Sequence, residues 1–173
     1  ESHFNFIRAK HLAKAAQDIP IRYAGLKKNQ FVADSLIFVA AVQEMYNPKP
    51  NYDEVIKNLE GMTNDQSAIR FLLLGNSYLH KLIDSKKGVD FDRGLADQAH
   101  RNLVLSLDQG RENERLRAPT LENLGLLHAV ISNFGLSAKY FEQRTTLPFL
   151  TVQDEAAIYW QWSKSLFKMG DES

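Results

Sequence analysis

The sequence predicts an all-α protein built from successive antiparallel helix pairs. Helix-forming residues dominate, and apolar residues recur at the three- and four-residue spacing of amphipathic helices. No stretch alternates apolar and polar residues as a strand does. Short segments rich in proline, glycine and polar residues separate the helical stretches, which favours antiparallel neighbours. The 173 residues are 44% hydrophobic and 24% charged, a composition typical of one globular unit or a short repeat array.

Residues 1–30 are predicted to form two short helices, which are either a divergent repeat or a cap. The first covers 4–17, where apolar residues share one face. It must end before Pro20, because the residue preceding a proline disfavours helix. The second short helix covers 21–28.

The first predicted helix pair covers residues 31–62. Its long apolar helix begins at Asn29 or Gln30 and runs to about Tyr46, where the sequence NPKP ends it. The second helix covers 52–62 and starts with an acidic turn, which favours a helix N-terminus.

The second predicted pair covers residues 66–107. Asp65 is a candidate N-cap for its first helix, which runs to about Ile83. The polar segment 84–94 is predicted to be a loop, and the partner helix follows over 95–107.

The third predicted pair covers residues 118–147. The charged segment 109–117 either extends the preceding helix or forms a loop. Pro119 is predicted to begin the next helix, since proline suits a first turn, and that helix runs to Ser132. The tripeptide NFG is predicted to make a tight turn before a helix over 136–146.

The last helix is predicted to run from Glu155 to Met169, with Asp154 as its cap. Gly170 and Asp171 are expected to turn into a further helix that this chain lacks. Residues 154–173 are therefore predicted to be the first helix of a truncated repeat. Because the chain starts with glutamate rather than methionine, it is expected to be a fragment of a larger protein.

The helix carrying AIRFLLLGNSYLH contains the pattern W-x-x-L-G-x-x-Y, with phenylalanine in the first place. The four signature residues are Phe71, Leu74, Gly75 and Tyr78. Phe71, Leu74 and Tyr78 share one helix face. Gly75 removes a side chain beside them, where a neighbouring helix must approach closely. Glycine in a helix interior costs about 1 kcal/mol relative to alanine, so we expect close packing to offset that cost.

The same signature recurs twice, and small and bulky residues follow in the partner helices. In the third pair the signature places hold Leu121, Leu124, Gly125 and His128. In the last helix they hold Tyr159, Trp162, Ser163 and Leu166. The matching partner positions are Ala99 with Leu103, and Ser137 with Phe141.

These motifs resemble the tetratricopeptide-repeat (TPR) family, over roughly residue 36 to the C-terminus. The resemblance implies one domain over 1–173, stacked as a right-handed superhelical array. The repeats are degenerate: Gly75 and Gly125 are 50 positions apart, and Gly125 and Ser163 are 38 apart. The family period is about 34 residues. An unrelated helical bundle with similar small-residue contacts is the alternative.

Composition and the absence of known motifs argue against several classes of function. Lysine plus arginine total 21 and aspartate plus glutamate total 21, so no net charge favours nucleic acid or an anionic membrane. There is no cysteine, no recognisable metal or phosphate-loop motif, and no apolar run of the roughly 20 residues that span a bilayer. We therefore expect a soluble, non-enzymatic domain, cytoplasmic or periplasmic, with no cofactor and no metal.

The resemblance implies that the first helices of the repeats line a concave groove for a partner protein's peptide or helix. The predicted groove residues are Ile69, Leu72, Asn76, Leu79, His80, Glu122, Asn123, Leu126 and Val130. One TPR subfamily grips a C-terminal carboxylate with lysines and an arginine. The cationic places of that clamp hold Leu72, Ala157 and Gln161, so an internal segment is the expected ligand.

Two alternative functions remain at the level of sequence. The first is a structural spacer or self-association module that docks through the aromatic C-terminal helix. Its predicted interface contains Tyr159, Trp160 and Trp162. The second is an enzyme built in a helical bundle, for which the sequence offers no catalytic residue.

Overall fold

A computed structural model describes residues 30–45, 47–62, 67–86, 90–148 and 151–171. The regular structure in these ranges is helical, which confirms the all-α prediction. The seven helices are α1 (Gln30–Met45), α2 (Tyr52–Glu60), α3 (Ala68–Ser85), α4 (Arg93–Gln109), α5 (Glu114–Val130), α6 (Phe134–Thr145) and α7 (Val152–Asp171). The two helices predicted within 4–28 lie outside the described residues.

The chain divides into two compact units, residues 1–66 and 67–173. In the first unit α1 packs against α2. Asn51 caps α2, since its side chain accepts a hydrogen bond from the Glu54 N–H at 3.2 Å. The prediction of one continuous array over 1–173 stays a prediction, and the site described below lies in the second unit.

Helices in the second unit begin at polar caps that differ in part from those predicted. Ser67 caps α3, because its side chain accepts from the Arg70 N–H at 3.3 Å, and the predicted cap Asp65 lies outside the described residues. Asn113 caps α5 by accepting from the Arg115 N–H at 3.1 Å. Pro119 therefore lies inside α5, and the prediction that the helix begins there is wrong. The cap and the acidic first turn start the helix earlier.

The turns around α6 and α7 also differ from expectation. Asn133 caps α6, whose first residue is Phe134, so the predicted NFG turn is wrong. The chain instead reverses at Ser132, which has a left-handed φ of 62°. Thr151 accepts from the Asp154 N–H at 3.1 Å, so Asp154 is not the cap of α7. The predicted turn at Gly170 and Asp171 is wrong too, since both residues lie in α7.

Helices α3, α5 and α7 lie side by side, since α5 contacts both α3 and α7. Helix α4 packs against α3 and α5, and α6 packs against α5 and α7. The core of the unit is formed mainly by leucines and alanines of three helices. These residues are Leu72, Leu79, Leu82, Ala96, Ala99, Leu103, Leu124 and Leu127.

The two signature glycines lie where a bulky side chain of the partner helix crosses. A Cβ atom built on Gly75 would lie 2.6 Å from Cγ of Leu103. A Cβ atom on Gly125 would lie 2.8 Å from Cε1 of Phe141. Both distances are shorter than van der Waals contact, which confirms the predicted close approach and explains glycine at both positions.

Buried hydroxyls connect α7 to the preceding pair. Ser137 Oγ of α6 donates to the Gly125 carbonyl at 2.8 Å and lies 2.8 Å from Ser165 Oγ of α7. Ile158 of α7 is also buried. These contacts fix which face of α7 is turned toward α5 and α6. Among the described residues, no helix is both long and apolar enough to cross a membrane.

A candidate binding cleft between α5 and α7

A cleft of about 250 Å³ lies between the C-terminal half of α5 and the middle of α7. Four of its described lining residues come from α5 and the start of α6, and three come from α7. They are Leu126, Ala129, Val130, Phe134, Gln161, Lys164 and Ser165. Because the hydroxyls of Ser165 and Ser137 are within hydrogen-bond distance, α6 helps to position the α7 wall of the cleft.

The cleft has mostly apolar walls and a few polar groups. The side chains of Leu126, Val130 and Phe134 supply apolar surface. The Gln161 amide can donate and accept hydrogen bonds, and the Lys164 ammonium supplies positive charge. Small-molecule and peptide pockets commonly combine such walls with a small number of polar groups.

Helix α7 also carries exposed aromatic side chains, which are not part of the cleft lining. Trp160 is 68% exposed and Phe167 is 67% exposed. Trp160, Lys164 and Phe167 follow at the i, i+4, i+7 spacing that places residues on one helix face. Lys168 lies on the same face, and its Nζ is 6.0 Å from the Phe167 ring centroid. Lys164 is the residue of this exposed face that also lines the cleft.

The predicted groove residues of α5 have two different environments. Leu126 and Val130 line the cleft. Glu122 instead accepts a hydrogen bond at 2.6 Å from Nε of Arg144, whose side chain is 3% exposed. The Glu122 carboxylate therefore neutralises a buried cation of α6. Asn123 is half-buried.

The predicted groove residues of α3 are more enclosed. Leu72 is 8% exposed and Leu79 is 1% exposed, and both belong to the core. Their side chains pack against the neighbouring helices, so the surface proposed below excludes them. Asn76 is half-buried, and its Oδ1 has no hydrogen-bond partner within the described part of the chain. His80 is half-buried, and Ile69 is 39% exposed.

The aromatic residues predicted as a second interface lie on α7 with different exposures. Tyr159 is 45% exposed and Trp160 is 68% exposed, whereas Trp162 is half-buried. The Tyr159 and Trp162 ring centroids are 6.1 Å apart. Trp160 thus presents the largest free aromatic surface of the three.

Several residues of the cleft and of the exposed α7 face are not among the predicted site residues. They are Ala129, Phe134, Lys164, Ser165, Phe167 and Lys168. The repeat pattern could have identified two of them, because the predicted groove residues Leu126 and Val130 follow Gly125 by one and five positions. The same offsets from Ser163 give Lys164 and Lys168. The contribution of Phe134 depends on the turn at Ser132, which the sequence pattern did not predict.

Burial shifts the pKa of His128, which occupies a signature place in α5. Its side chain is 5% exposed, and burial, with a smaller effect of His100, lowers its pKa from 6.5 to about 4. The ring stacks on Tyr140 at a centroid distance of 5.4 Å and meets His100 edge-on at 5.5 Å. It occupies the aromatic place of the signature as a neutral, packed ring.

The described residues contain no group of three or more histidine, aspartate or glutamate side chains that could hold a metal ion. Comparison of the chain with protein-family models, curated proteins and solved structures finds no match in any of the three.

Proposed function

We propose that the chain is a non-enzymatic protein-interaction scaffold that binds a peptide or helix of a partner protein. In this proposal the helix pairs form a TPR-like, right-handed superhelical array. Three observations support it: α3, α5 and α7 lie side by side, partner helices pack on them, and glycine marks two of the crossings.

The α5–α7 cleft is the observation that carries this proposal. It contains Leu126 and Val130, two of the residues predicted to contact a partner. An apolar side chain of the partner would fill the cleft and lose its contact with water. Burying one leucine- or phenylalanine-sized side chain contributes about 1.5–3 kcal/mol. That contribution supports modest affinity, which further contacts along the partner segment would increase.

Asn76 and Asn123 remain proposed contacts to the partner's backbone. An amide side chain can both donate to a carbonyl and accept from an N–H group. Each such hydrogen bond contributes about 0.5–1.5 kcal/mol.

The test is a selection from a random peptide-display library on the whole chain. We expect enriched peptides that bind the wild-type chain but lose binding to Leu126→Glu, because the carboxylate would be placed in the apolar cleft. The control is Val104→Glu, since Val104 of α4 is 39% exposed and lies outside the cleft lining. Thermal unfolding checks that both variants fold.

Two outcomes would overturn the cleft as the binding site. One is the absence of any enriched peptide. The other is equal binding to the wild-type chain and to a folded Leu126→Glu variant. Should that variant fail to fold, Gln161→Arg replaces it, because residue 161 lies on the half-buried surface of α7 at the cleft.

The exposed surface of α7 favours a second candidate function, self-association within a larger assembly. Trp160, Leu166 and Phe167 are 68%, 42% and 67% exposed, which is unusual for side chains of this size on one helix. In this alternative two copies bury these side chains against each other. A sedimentation-equilibrium mass that rises with concentration and falls on Trp160→Ala would favour it.

A further inference from the structure

We infer that one side of α7 binds an amphipathic helix of a partner protein, which places a bulky apolar side chain on Ser163. This side, the α7 docking face, is formed by the four signature residues of the helix, Tyr159, Trp162, Ser163 and Leu166. It is separate from the residues that line the α5–α7 cleft, so the inference goes beyond the proposed cleft function. Helices α3 and α5 carry the same signature, and their signature sides show what such a surface binds.

In α3 and α5 the signature side is covered by the next helix along the chain. Phe71 and Leu74 of α3 are buried, and so are Leu121, Leu124 and His128 of α5. Helix α4 packs against α3, and α6 packs against α5. The signature therefore forms a helix surface that a second helix covers in both places.

The two covering helices make the same contact with the small signature residue. Leu103 of α4 lies against Gly75, and Phe141 of α6 lies against Gly125, closely enough to exclude a Cβ atom at either glycine. In both covering helices a small buried residue precedes the bulky one by four positions. These pairs are Ala99 with Leu103 and Ser137 with Phe141. A helix that covers a signature side in this chain thus carries the pattern small-x-x-x-bulky.

The equivalent side of α7 is open. Tyr159, Ser163 and Leu166 are exposed. Helix α7 packs on α5 and α6 through other residues, among them the buried Ile158 and Ser165. In the part of the chain that the structure describes, no helix covers the α7 docking face as α4 covers α3. The face therefore offers the contact that the two preceding signature helices have already made.

The chemistry of the α7 docking face favours an apolar partner. Its four residues are uncharged, and a charge buried against them would be left unpaired. The Ser163 hydroxyl donates to the Trp160 carbonyl at 2.9 Å, so it is satisfied within α7 and needs no hydrogen bond from the partner. Serine is also small enough to leave room for a leucine or phenylalanine above it. The expected ligand is an amphipathic helix whose apolar side carries the small-x-x-x-bulky pattern.

The exposed area of α7 favours a separate helix over a second copy of the chain. The exposed parts of its aromatic side chains, Tyr159, Trp160 and Phe167, amount to about 400 Å² per copy. Each partner in a standard stable interface buries about 800 Å². Two folded copies meeting here would therefore bury too little surface for a stable dimer. A single helix can lie along the length of α7 and bury its own apolar side in the same contact.

The experiment is a selection on the whole wild-type chain from a display library of single helices with one randomised face. We expect enriched helices to carry alanine, serine or glycine, followed four positions later by leucine, isoleucine, methionine or phenylalanine. A Ser163→Leu variant should bind these helices about tenfold or more weakly, because the leucine fills the space for the bulky side chain. The same selection on that variant should enrich a small residue at the bulky position. Ser163 is exposed, so thermal unfolding should be nearly unaltered.

Two controls separate the α7 docking face from other surfaces. Ala157→Leu makes a similar change at an exposed position on another side of α7 and should leave the affinity unchanged. Leu126→Glu, the cleft variant, should also leave it unchanged. Leu166→Glu is a second variant of the docking face, because it places a carboxylate one helical turn after Ser163, and it should weaken binding of the same helices.

Three results would overturn this inference and leave the cleft proposal standing. The first is the absence of enriched helices, or enriched helices without the small-x-x-x-bulky pattern. The second is equal affinity for the wild-type chain and for folded Ser163→Leu and Leu166→Glu variants. The third is a mass of the wild-type chain that rises with concentration and stays monomeric in Ser163→Leu, which would identify a second copy as the occupant. Failure of the cleft proposal is seen separately, since it depends on peptides that distinguish Leu126→Glu from the wild-type chain.

Discussion

Helices α3 and α7 use the same positions relative to their small signature residue in opposite ways. Three positions before it and four after it, α3 carries Leu72 and Leu79, which are 8% and 1% exposed. At the same offsets from Ser163, α7 carries Trp160 and Phe167, which are 68% and 67% exposed. One helical pattern therefore provides the core at one end of the unit and an open surface at the other, because neighbouring helices cover these two positions on α3 but not on α7.

The largest effect expected from this difference comes from truncating Leu79 of α3 or its counterpart Phe167 of α7. Each lies four positions after the small residue of its helix. Leu79→Ala should lower the free energy of unfolding by about 2–5 kcal/mol, because it leaves a cavity in the core. Phe167→Ala should change it by less than about 0.5 kcal/mol, although more atoms are removed. Equilibrium urea unfolding measures both variants. A loss of several kcal/mol in Phe167→Ala would mean that the α7 face is packed.

The next largest effect depends on pH and comes from His128 of α5, which lies three positions after Gly125. His128 has its pKa lowered to about 4, whereas the unfolded chain titrates near the ordinary 6.5. As pH falls through this window, the unfolded state binds a proton that the folded state excludes, so stability decreases. At about 1.4 kcal/mol per pKa unit, the loss approaches 3 kcal/mol between pH 6.5 and 4.

His128→Phe isolates this contribution, since phenylalanine keeps an aromatic ring against Tyr140 without a titratable group. We expect the stability of the wild-type chain relative to this variant to fall as pH drops through the window. A difference that stays constant with pH would contradict the burial of a neutral imidazole. The corresponding residue of α7 is Leu166, which is 42% exposed and has no such linkage.

The small residues themselves give the smallest expected effect. Gly75→Ala and Gly125→Ala gain about 1 kcal/mol of helix propensity and lose about 1–3 kcal/mol through overpacking against Leu103 and Phe141. The net loss should reach about 2 kcal/mol. Ser163→Ala should instead stabilise by up to about 0.5 kcal/mol, since Ser163 is exposed. Thermal unfolding of the three variants checks this difference, and equal shifts would contradict it.

The sequence predicted the existence and order of the described helices, because their apolar spacing is strong and turn-rich segments separate them. Helix starts were less predictable. At α3 the cap is Ser67, and at α7 Thr151 accepts from the N–H of Asp154, which was the predicted cap. At α5 the cap Asn113 starts the helix before Pro119. Several polar residues near a helix start can serve as the cap, so residue type alone does not fix the first helical residue.

The binding surface was predictable only in part for a related reason. Leu72 and Trp160 have equivalent positions within their helices, but their exposure depends on which helix packs beside them. The position of Gln161 opposite Leu126 likewise depends on how α7 lies against α5. Motif spacing identified which residues share a face, whereas the structure determined which of those faces is open.

The most direct test of the account is acrylamide quenching of Trp160 in a Trp162→Phe variant, since the chain has 2 tryptophans and this change leaves Trp160 as the only one. We predict that Trp160 is quenched nearly as efficiently as free tryptophan at all protein concentrations. It should become protected when a peptide from the display selection is added. Protection in the free chain, whether constant or rising with protein concentration, would contradict an α7 face that is open to a partner.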